Sequence, residues 1–153
     1  MKLLGIRTAP TQLRYALIKV DDDNNCSLVN SNSESLIKVP AGMDDFSEKL
    51  SWQKDEIDRI IRQNQDVEKI LLKIGEYGRS DTKSSRLAAY FDAVVILAAK
   101  EANIPIQTKV YNQLSTKRKQ VKKDAKEHIG RTDKYWNEQI ADAIVAAWSG
   151  RPL

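Results

Sequence analysis

The sequence predicts a mixed α/β domain in which three antiparallel strands are followed by two parallel strands with flanking helices. Three observations support this fold class. The N-terminal part contains short apolar runs separated by polar turns, as in a meander of strands. The middle part alternates helical periodicity with short aliphatic runs, and this order builds parallel strands through helical crossovers. No internal repeat or linker is visible, so one domain over residues 1–153 is expected.

The strands are expected where apolar residues cluster between turns. They are residues 3–6, 15–20, 26–29 with 36–39, 67–74 and 104–110. The third strand is broken or bulged, because the polar residues 30–35 interrupt it. The fourth strand is short and aliphatic, which is typical of a buried central strand.

The helices are expected at residues 44–64, 85–102 and 134–149, and residues 113–131 are expected to be partly helical. Phe46, Leu50 and Ile57 recur at helical spacing in the first of these helices. The second helix is apolar on most sides, with Tyr90 and Leu97 among its side chains. We therefore expect it to be buried on more than one face.

Composition excludes several classes of protein. No apolar run approaches the roughly 18 residues that span a membrane, and the N-terminus does not resemble a signal peptide, so a cytoplasmic location is expected. Cys26 is the single cysteine and His128 the single histidine, which excludes an internal disulfide and a cysteine-rich or histidine-pair metal site.

The positive charge is concentrated in one part of the chain. The formal net charge is +4, whereas residues 107–136 alone contain nine basic and three acidic side chains. The densest part is Lys117-Arg118-Lys119-Gln120-Val121-Lys122-Lys123. We call residues 117–131 the basic segment. Such a concentration on an otherwise neutral body favours a polyanionic partner.

Several segments resemble RuvC-like Holliday-junction resolvases of the RNase H-like superfamily. Leu4-Gly5-Ile6-Arg7 followed by residues 15–18 is similar to their first hairpin, and residues 70–76 to their fourth strand. Residues 84–102 resemble their long buried helix, and Asn137-Glu138-Gln139-Ile140-Ala141-Asp142-Ala143-Ile144 resembles their final helix. The resemblance implies an RNase H-like fold and a nucleic-acid partner.

The resemblance also shows where the chain departs from the family. In these nucleases, carboxylates from the first strand, the fourth strand and the final helix hold two metal ions. Here the first position is Arg7, and the second is Lys73 or, with a three-residue slip, Glu76. The pair in the final helix becomes Gln139 and Asp142. A guanidinium cannot ligate a cation, so most of the metal site is expected to be lost.

Asp142 is the only charged side chain in the apolar residues 140–148. It is interpreted as a solvated helix edge, a partner of a cation, or a remnant metal ligand. Arg7 ends an apolar strand, and a buried arginine needs an anion. We expect a structural ion pair between Arg7 and Asp142, and the alternative is that Arg7 binds a phosphate directly. Glu138 lies one turn before Asp142, so the two form either a metal-binding pair or the solvated face of the helix.

Three hypotheses of function follow. The first is a non-catalytic nucleic-acid-binding protein with no cofactor. The second is a divergent nuclease that uses Mg²⁺ held by the remnant candidates Glu76, Glu138 and Asp142. The third is a protein-interaction module, such as an inhibitor or immunity protein, whose partner is acidic. The predicted nucleic-acid-binding residues are Arg79, Lys83, Arg86, Lys117, Arg118, Lys119, Lys122, Lys123, Lys126 and Arg131.

Overall fold

The computed structural model describes residues 1–78 and 81–153. The strands are β1 (Lys2–Ala9), β2 (Gln12–Val20), β3 (Cys26–Leu28), β4 (Leu36–Lys38), β5 (Val67–Lys73) and β6 (Ile106–Lys109). The helices are α1 (Phe46–Gln63), α2 (Lys83–Glu101), α3 (Val121–His128) and α4 (Glu138–Ser149), and a short 3-10 turn covers Tyr111–Leu114. No described helix is long and apolar enough to cross a membrane.

The strands form one mixed sheet in the order β3-β2-β1-β5-β6, with β4 also paired to β2. β2 runs antiparallel to β1, β3 and β4, whereas β5 is parallel to β1 and to β6. The predicted three antiparallel and two parallel strands are therefore confirmed, with the third strand present as two pieces on one edge of β2.

The break in the third strand has a specific cause. Asn30 is buried. Its side-chain amide forms the hydrogen bonds to β2 that the backbone of a neighbouring strand would otherwise form. Its Oδ1 accepts a hydrogen bond from the backbone N–H of Leu17 at 2.8 Å, and its Nδ2 donates to the carbonyl oxygen of Tyr15 at 3.1 Å. The amide thus provides hydrogen-bond partners for the backbone of β2 between the segments that pair with β3 and β4. Buried backbone N–H and carbonyl groups require such partners.

The sheet has helices on both faces, because successive strand residues point to opposite sides. Leu4, Ile6, Ile70 and Leu72 pack with α1 and α2. On the other face, Leu3, Ala16, Ile18 and Leu71 pack with α3 and α4. The strands β1, β2 and β5 therefore each supply one set of side chains to each layer.

Helix α4 lies unusually close to the sheet. A Cβ atom added to Gly5 of β1 would lie 1.9 Å from the carbonyl oxygen of Ala143 and 2.9 Å from the Cβ of Ala147. Only glycine fits such an approach. This contact places the middle of α4 directly against the middle of β1.

Helix α2 differs from the prediction. We expected it to be buried on more than one face, but Tyr90, Ile96 and Leu97 are 41%, 41% and 54% exposed. Its inward side, which includes Phe91, Val95 and Ala98, packs against α1 and the sheet. On its outward side, Tyr90 contacts the ring of Phe46 at the start of α1. Apolar composition alone did not reveal how many neighbours the helix has.

Helix boundaries follow local capping. The expected start of α2 at residue 84 or 85 moves to Lys83, because Thr82 and Ser85 form a capping box. The last helix starts at Glu138 rather than at residue 134, because the side chain of Asn137 accepts a hydrogen bond from the N–H of Ile140 at 3.1 Å.

Candidate nucleic-acid interface

Four basic residues stand side by side across four neighbouring strands. The strand register pairs Arg14 of β2 with Arg7 of β1, Arg7 with Lys73 of β5, and Lys73 with Lys109 of β6. Paired residues on adjacent strands point to the same face, which here is the face covered by α4. We call these four residues the cation row. It lies at the carboxyl ends of β1, β5 and β6, below the first turns of α4.

Arg7 contacts the carboxylate of α4. Its Nε lies 3.2 Å from Oδ2 of Asp142, which is the ion pair expected from the sequence. The N–H bond is not aimed at that oxygen, so the contact is an ion pair without a hydrogen bond. Oδ1 of Asp142 accepts a hydrogen bond from the hydroxyl of Tyr111 at 2.7 Å. Burial raises the pKa of Asp142, while Arg7 and the hydrogen bond from Tyr111 act in the opposite direction.

Lys73 is almost fully enclosed, with 1% of its surface exposed. Its Nζ lies 3.4 Å from Oε1 of Glu76, donates to the carbonyl oxygen of Ile74 at 2.5 Å, and sits 4.0 Å from the ring centre of Tyr111. Burial lowers the pKa of Lys73, and the charge of Arg7 lowers it further. Lys73 is therefore a buried amine held between the carboxylate of Glu76 and the ring of Tyr111.

The remaining carboxylates are also engaged. Glu138 accepts a hydrogen bond from Nε of Arg118 at 2.7 Å, and both side chains are at least partly exposed. Oε1 of Glu76 accepts the backbone N–H of Tyr111 at 2.8 Å. In the part of the chain that the structure describes, no group of three or more acidic, histidine or cysteine side chains could hold a metal ion.

These side chains line a cleft of about 360 Å³. Its walls are Arg7, Gln12, Lys73, Glu76, Tyr111, Arg118, Asn137, Glu138, Gln139 and Asp142. Each of the three carboxylates has a cation within ion-pair distance. Hard oxygen ligands that are already paired with fixed cations do not favour Mg²⁺.

The basic segment presents its charges outward from α3. Val121 and Ala125 are buried against α4, and the lysines at 122, 123 and 126 are exposed. Lys117 and Lys119 are exposed in the turn before the helix. Lys123 lies 3.8 Å from Glu127. Among the described residues, no ion pair involves Lys117, Lys119, Lys122 or Lys126, so this surface keeps most of its positive charge.

Other predicted binding residues have different surroundings. Arg118 belongs to both the basic segment and the cleft, through Glu138. Arg131 is exposed, with its guanidinium 5.4 Å from the ring centre of Trp136. The basic segment and the cleft therefore adjoin at Arg118.

The cations near the start of α2 lie in the layer on the opposite side of the sheet from α3 and α4. Arg86 donates two hydrogen bonds of 2.6 Å to Asp81, and Lys83 lies 5.7 Å from the ring centre of Phe46. The expected contribution of Arg79 falls outside the described residues. The structure thus does not place Lys83 and Arg86 in the same layer as the basic segment.

Sequence reasoning missed three residues that shape this region. Arg14 is 7% exposed, and its position between apolar neighbours in β2 was a readable signal. The hydroxyl of Tyr111 contacts Asp142 and its ring contacts Lys73. No local sequence pattern indicates these contacts. Asp92 is the only charged residue in the apolar part of α2, the same signal that identified Asp142.

Asp92 lies in a second, larger cleft of about 660 Å³ between α2 and the ends of β1 and β5. Its Oδ1 accepts a hydrogen bond of 2.5 Å from the hydroxyl of Thr8. Burial raises the pKa of Asp92 to about 6, with the hydrogen bond from Thr8 acting in the opposite direction. This carboxyl belongs to the other layer and does not contribute to the cleft beside the cation row.

The architecture is the RNase H-like fold in its RuvC-like form. The chain superposes on Thermus thermophilus RuvC in complex with a Holliday junction substrate with a TM-score of 0.77 and 15% identity, over 97% of this chain and 92% of that one. The yeast mitochondrial Holliday junction resolvase gives a TM-score of 0.60 and 12% identity, with 96% and 77% of the two chains covered.

A Fowlpox virus resolvase in complex with Holliday junction DNA gives a TM-score of 0.55 and 14% identity, over 97% of this chain and 95% of that one. Identities this low establish a shared fold and nothing finer. No protein-family model and no curated protein sequence matches the chain.

Proposed function

We propose that this chain binds nucleic acid through the basic segment and does not cleave it. The observation that carries the proposal is the cation row. The resemblance places metal-binding carboxylates at the position of Arg7 and at that of Lys73 or, with a three-residue slip, Glu76. Arg7 and Lys73 are both paired with acidic side chains of the cleft. The divergent-nuclease hypothesis needs Glu76, Glu138 and Asp142 free to bind Mg²⁺, and each is engaged by a cation.

The exposed lysines of the basic segment supply the contact with the partner. Lys122 and Lys126 are four residues apart and share one side of α3. Lys119 is exposed in the turn just before that helix. Their chemistry suits phosphate oxygens, which a lysine contacts as a point charge. Two solved structures with the same fold hold Holliday junction DNA, and this supports a nucleic-acid partner over an acidic protein.

Binding of this kind follows phosphate charge rather than base sequence, because phosphate contacts carry no base information. We therefore expect weak sequence preference and a steep dependence on salt. Each phosphate neutralised on duplex DNA contributes a slope of about −0.9 to the plot of log affinity against log salt concentration.

The test is a salt series of binding titrations, measured by fluorescence anisotropy in buffer with EDTA. Labelled four-way junctions, duplex DNA and single-stranded RNA are the probes. Replacing Lys119, Lys122 and Lys126 together with glutamine should make the slope on duplex DNA shallower by about 2.7, if each lysine neutralises one phosphate. Circular dichroism should show an unchanged fold.

A matched control replaces three exposed lysines outside the basic segment, Lys19, Lys38 and Lys100, with glutamine. It removes the same charge and should leave the slope close to that of the wild type. Equal effects of the two variants would show that net charge, rather than the basic segment, drives binding. If the wild-type chain binds none of the probes at low ionic strength, the nucleic-acid proposal fails, and an acidic protein partner for the same lysines becomes the better hypothesis.

A further inference from the structure

The second cleft, of about 660 Å³ between α2 and the ends of β1 and β5, has mostly apolar walls. We call it the α2 cleft. Helix α2 contributes Ala88, Ala89 and Ala93, whose short side chains leave space between the helix and the strand ends. Pro10, after β1, and Ile74, after β5, line the same cleft. A cleft of this size with apolar walls and few polar groups is typical of a small-molecule site.

Asp92 is the buried acidic group of the α2 cleft. It is 9% exposed and lines the cleft from α2. Its Oδ1 accepts the hydrogen bond from the hydroxyl of Thr8, whereas its Oδ2 accepts none from the residues that the structure describes. This second oxygen is not closed off by protein atoms, so a donor placed in the cleft can reach it.

Asp92 also has no cation within ion-pair distance among the described residues. Buried aspartates are almost never found without a partner. Arg7 and Lys73 act on Asp92 from β1 and β5, but only as more distant charges. Arg7 is paired with Asp142. Lys73 is paired with Glu76. The described part of the protein therefore leaves the carboxylate of Asp92 without a direct counter-charge.

The charged form of Asp92 is costly in these surroundings. Burial raises its pKa to about 6, and a carboxyl group with a perturbed pKa in a cleft is a common feature of functional sites. An ammonium group that donates to Oδ2 would offset this cost, because charge-assisted hydrogen bonds are about twice as strong as neutral ones. A neutral donor would offset it less.

We propose that the α2 cleft binds a small organic amine, with its ammonium group on Oδ2 of Asp92 and its apolar body against the alanines of α2. The apolar walls select the body of the ligand, and the carboxylate selects its charge. The proposal goes beyond nucleic-acid binding and is independent of it. The basic segment belongs to the layer on the other face of the sheet and does not line this cleft.

The test compares probes that share an indole ring and an ethyl arm. Tryptamine carries an ammonium group on that arm, tryptophol a hydroxyl group and indole-3-propionate a carboxylate. Each is titrated into the full chain at constant ionic strength and followed by ¹H–¹⁵N NMR. Tryptamine should shift the backbone amide signals of Ala88, Ala89 and Ala93 saturably, and it should bind about tenfold more tightly than tryptophol.

Two outcomes of this comparison would overturn the proposal. Equal affinities for tryptamine and tryptophol, or no saturable shift with tryptamine, would show that the carboxylate does not bind an amine. Tighter binding of indole-3-propionate would assign the cleft to an anion, with Arg7 as the cation on its wall.

The variant Asp92→Asn keeps the shape of the side chain and removes its charge. It should weaken tryptamine binding by about tenfold or more and leave tryptophol binding unchanged. The matched control is Asp23→Asn, which removes the same charge from an exposed turn before β3 and should bind tryptamine like the wild type. Thermal unfolding checks that both variants fold. Undiminished tryptamine affinity in Asp92→Asn would overturn the proposal.

A second variant, Ala89→Phe, places a ring in the cleft from an exposed position of α2. It should abolish the shifts with tryptamine and with tryptophol. Unchanged binding in this variant would place the site elsewhere on the protein and overturn its assignment to the α2 cleft.

The affinity for tryptamine should follow the ionisation of Asp92. The ammonium group of the probe stays protonated below about pH 8, so the affinity should rise about tenfold between pH 5 and pH 7.5. The charged groups that face Asp92 are Arg7 and Lys73, with Glu76 on the wall of the cleft, whereas β6 contributes the uncharged Thr108. The pH dependence should disappear in Asp92→Asn. Its persistence there would assign it to another of these groups and overturn the role of Asp92.

Discussion

Replacing Asp142 with alanine should destabilise the fold clearly. Asp142 is 2% exposed and serves both Arg7, at 3.2 Å, and the hydroxyl of Tyr111, at 2.7 Å. Removing one member of a buried ion pair typically costs about 3–5 kcal/mol, because the other charge is left without a partner. The side chain of Arg7 is 21% exposed and reaches some solvent. We therefore expect a loss near the lower limit, about 3 kcal/mol.

The matched control is Glu138→Ala, which removes a carboxylate from the same helix one turn earlier. Its partner Arg118 is 66% exposed, and exposed ion pairs contribute about 0–1 kcal/mol. Urea unfolding followed by circular dichroism measures both variants. With a urea slope of about 2 kcal/mol/M, Asp142→Ala should lower the midpoint by roughly 1.5 M and Glu138→Ala by less than about 0.5 M. Equal, small shifts would show that Asp142 is merely solvated.

Three more predictions follow from the geometry. Burial raises the pKa of Asp92 to about 6, so its neutral form stabilises the fold below about pH 4, and this contribution is lost as the pH rises through 6. Asp92→Asn should therefore add up to about 3 kcal/mol to the unfolding free energy at pH 7 and nothing at pH 4; equal effects at both pH values would refute the assignment. Gly5→Ala should destabilise by about 3 kcal/mol or more in thermal unfolding, because the new Cβ would overlap the Ala143 carbonyl, and a neutral result would contradict the close packing of α4. Purified protein should not cleave junctions, duplexes or single strands with Mg²⁺ or Mn²⁺, and cleavage abolished by Asp142→Asn would restore the nuclease hypothesis.

The strands, the helices and the antiparallel start of the sheet could be predicted because the elements depend on local signals. Apolar runs, turn residues and helical periodicity determine which segments are strands and helices, and crossover rules then limit the topology. The broken third strand was also visible as a polar interruption. Its cause was not, because the bridging role of Asn30 depends on contacts between residues distant in sequence.

The exposed side of α2 could not be read from the sequence. An apolar helix side can pack against a neighbouring element or remain exposed, and sequence periodicity does not distinguish these two cases. Tyr90, Ile96 and Leu97 illustrate this limit. Tertiary contacts decide burial, and these depend on how many elements the rest of the chain supplies.

The candidate site was predicted in part. Arg7 and Asp142 were identifiable because each is a charge within an apolar segment, and the resemblance placed them near each other. The cation row was not predicted, because Arg14, Arg7, Lys73 and Lys109 become neighbours only through strand register. The strand register brings together four residues that are distant in sequence, and no periodicity of the sequence reveals that register directly.

The central proposal is that Arg7 and Lys73 leave this cleft without a site for divalent metal ions. Titration of the protein with Mn²⁺ by isothermal calorimetry, alone and in complex with a four-way junction, tests it most directly. We predict no saturable Mn²⁺ binding in either state, because Arg7 and Lys73 repel divalent cations and engage Asp142 and Glu76. Saturable binding of Mn²⁺ to the protein that disappears in Asp142→Asn would contradict the account.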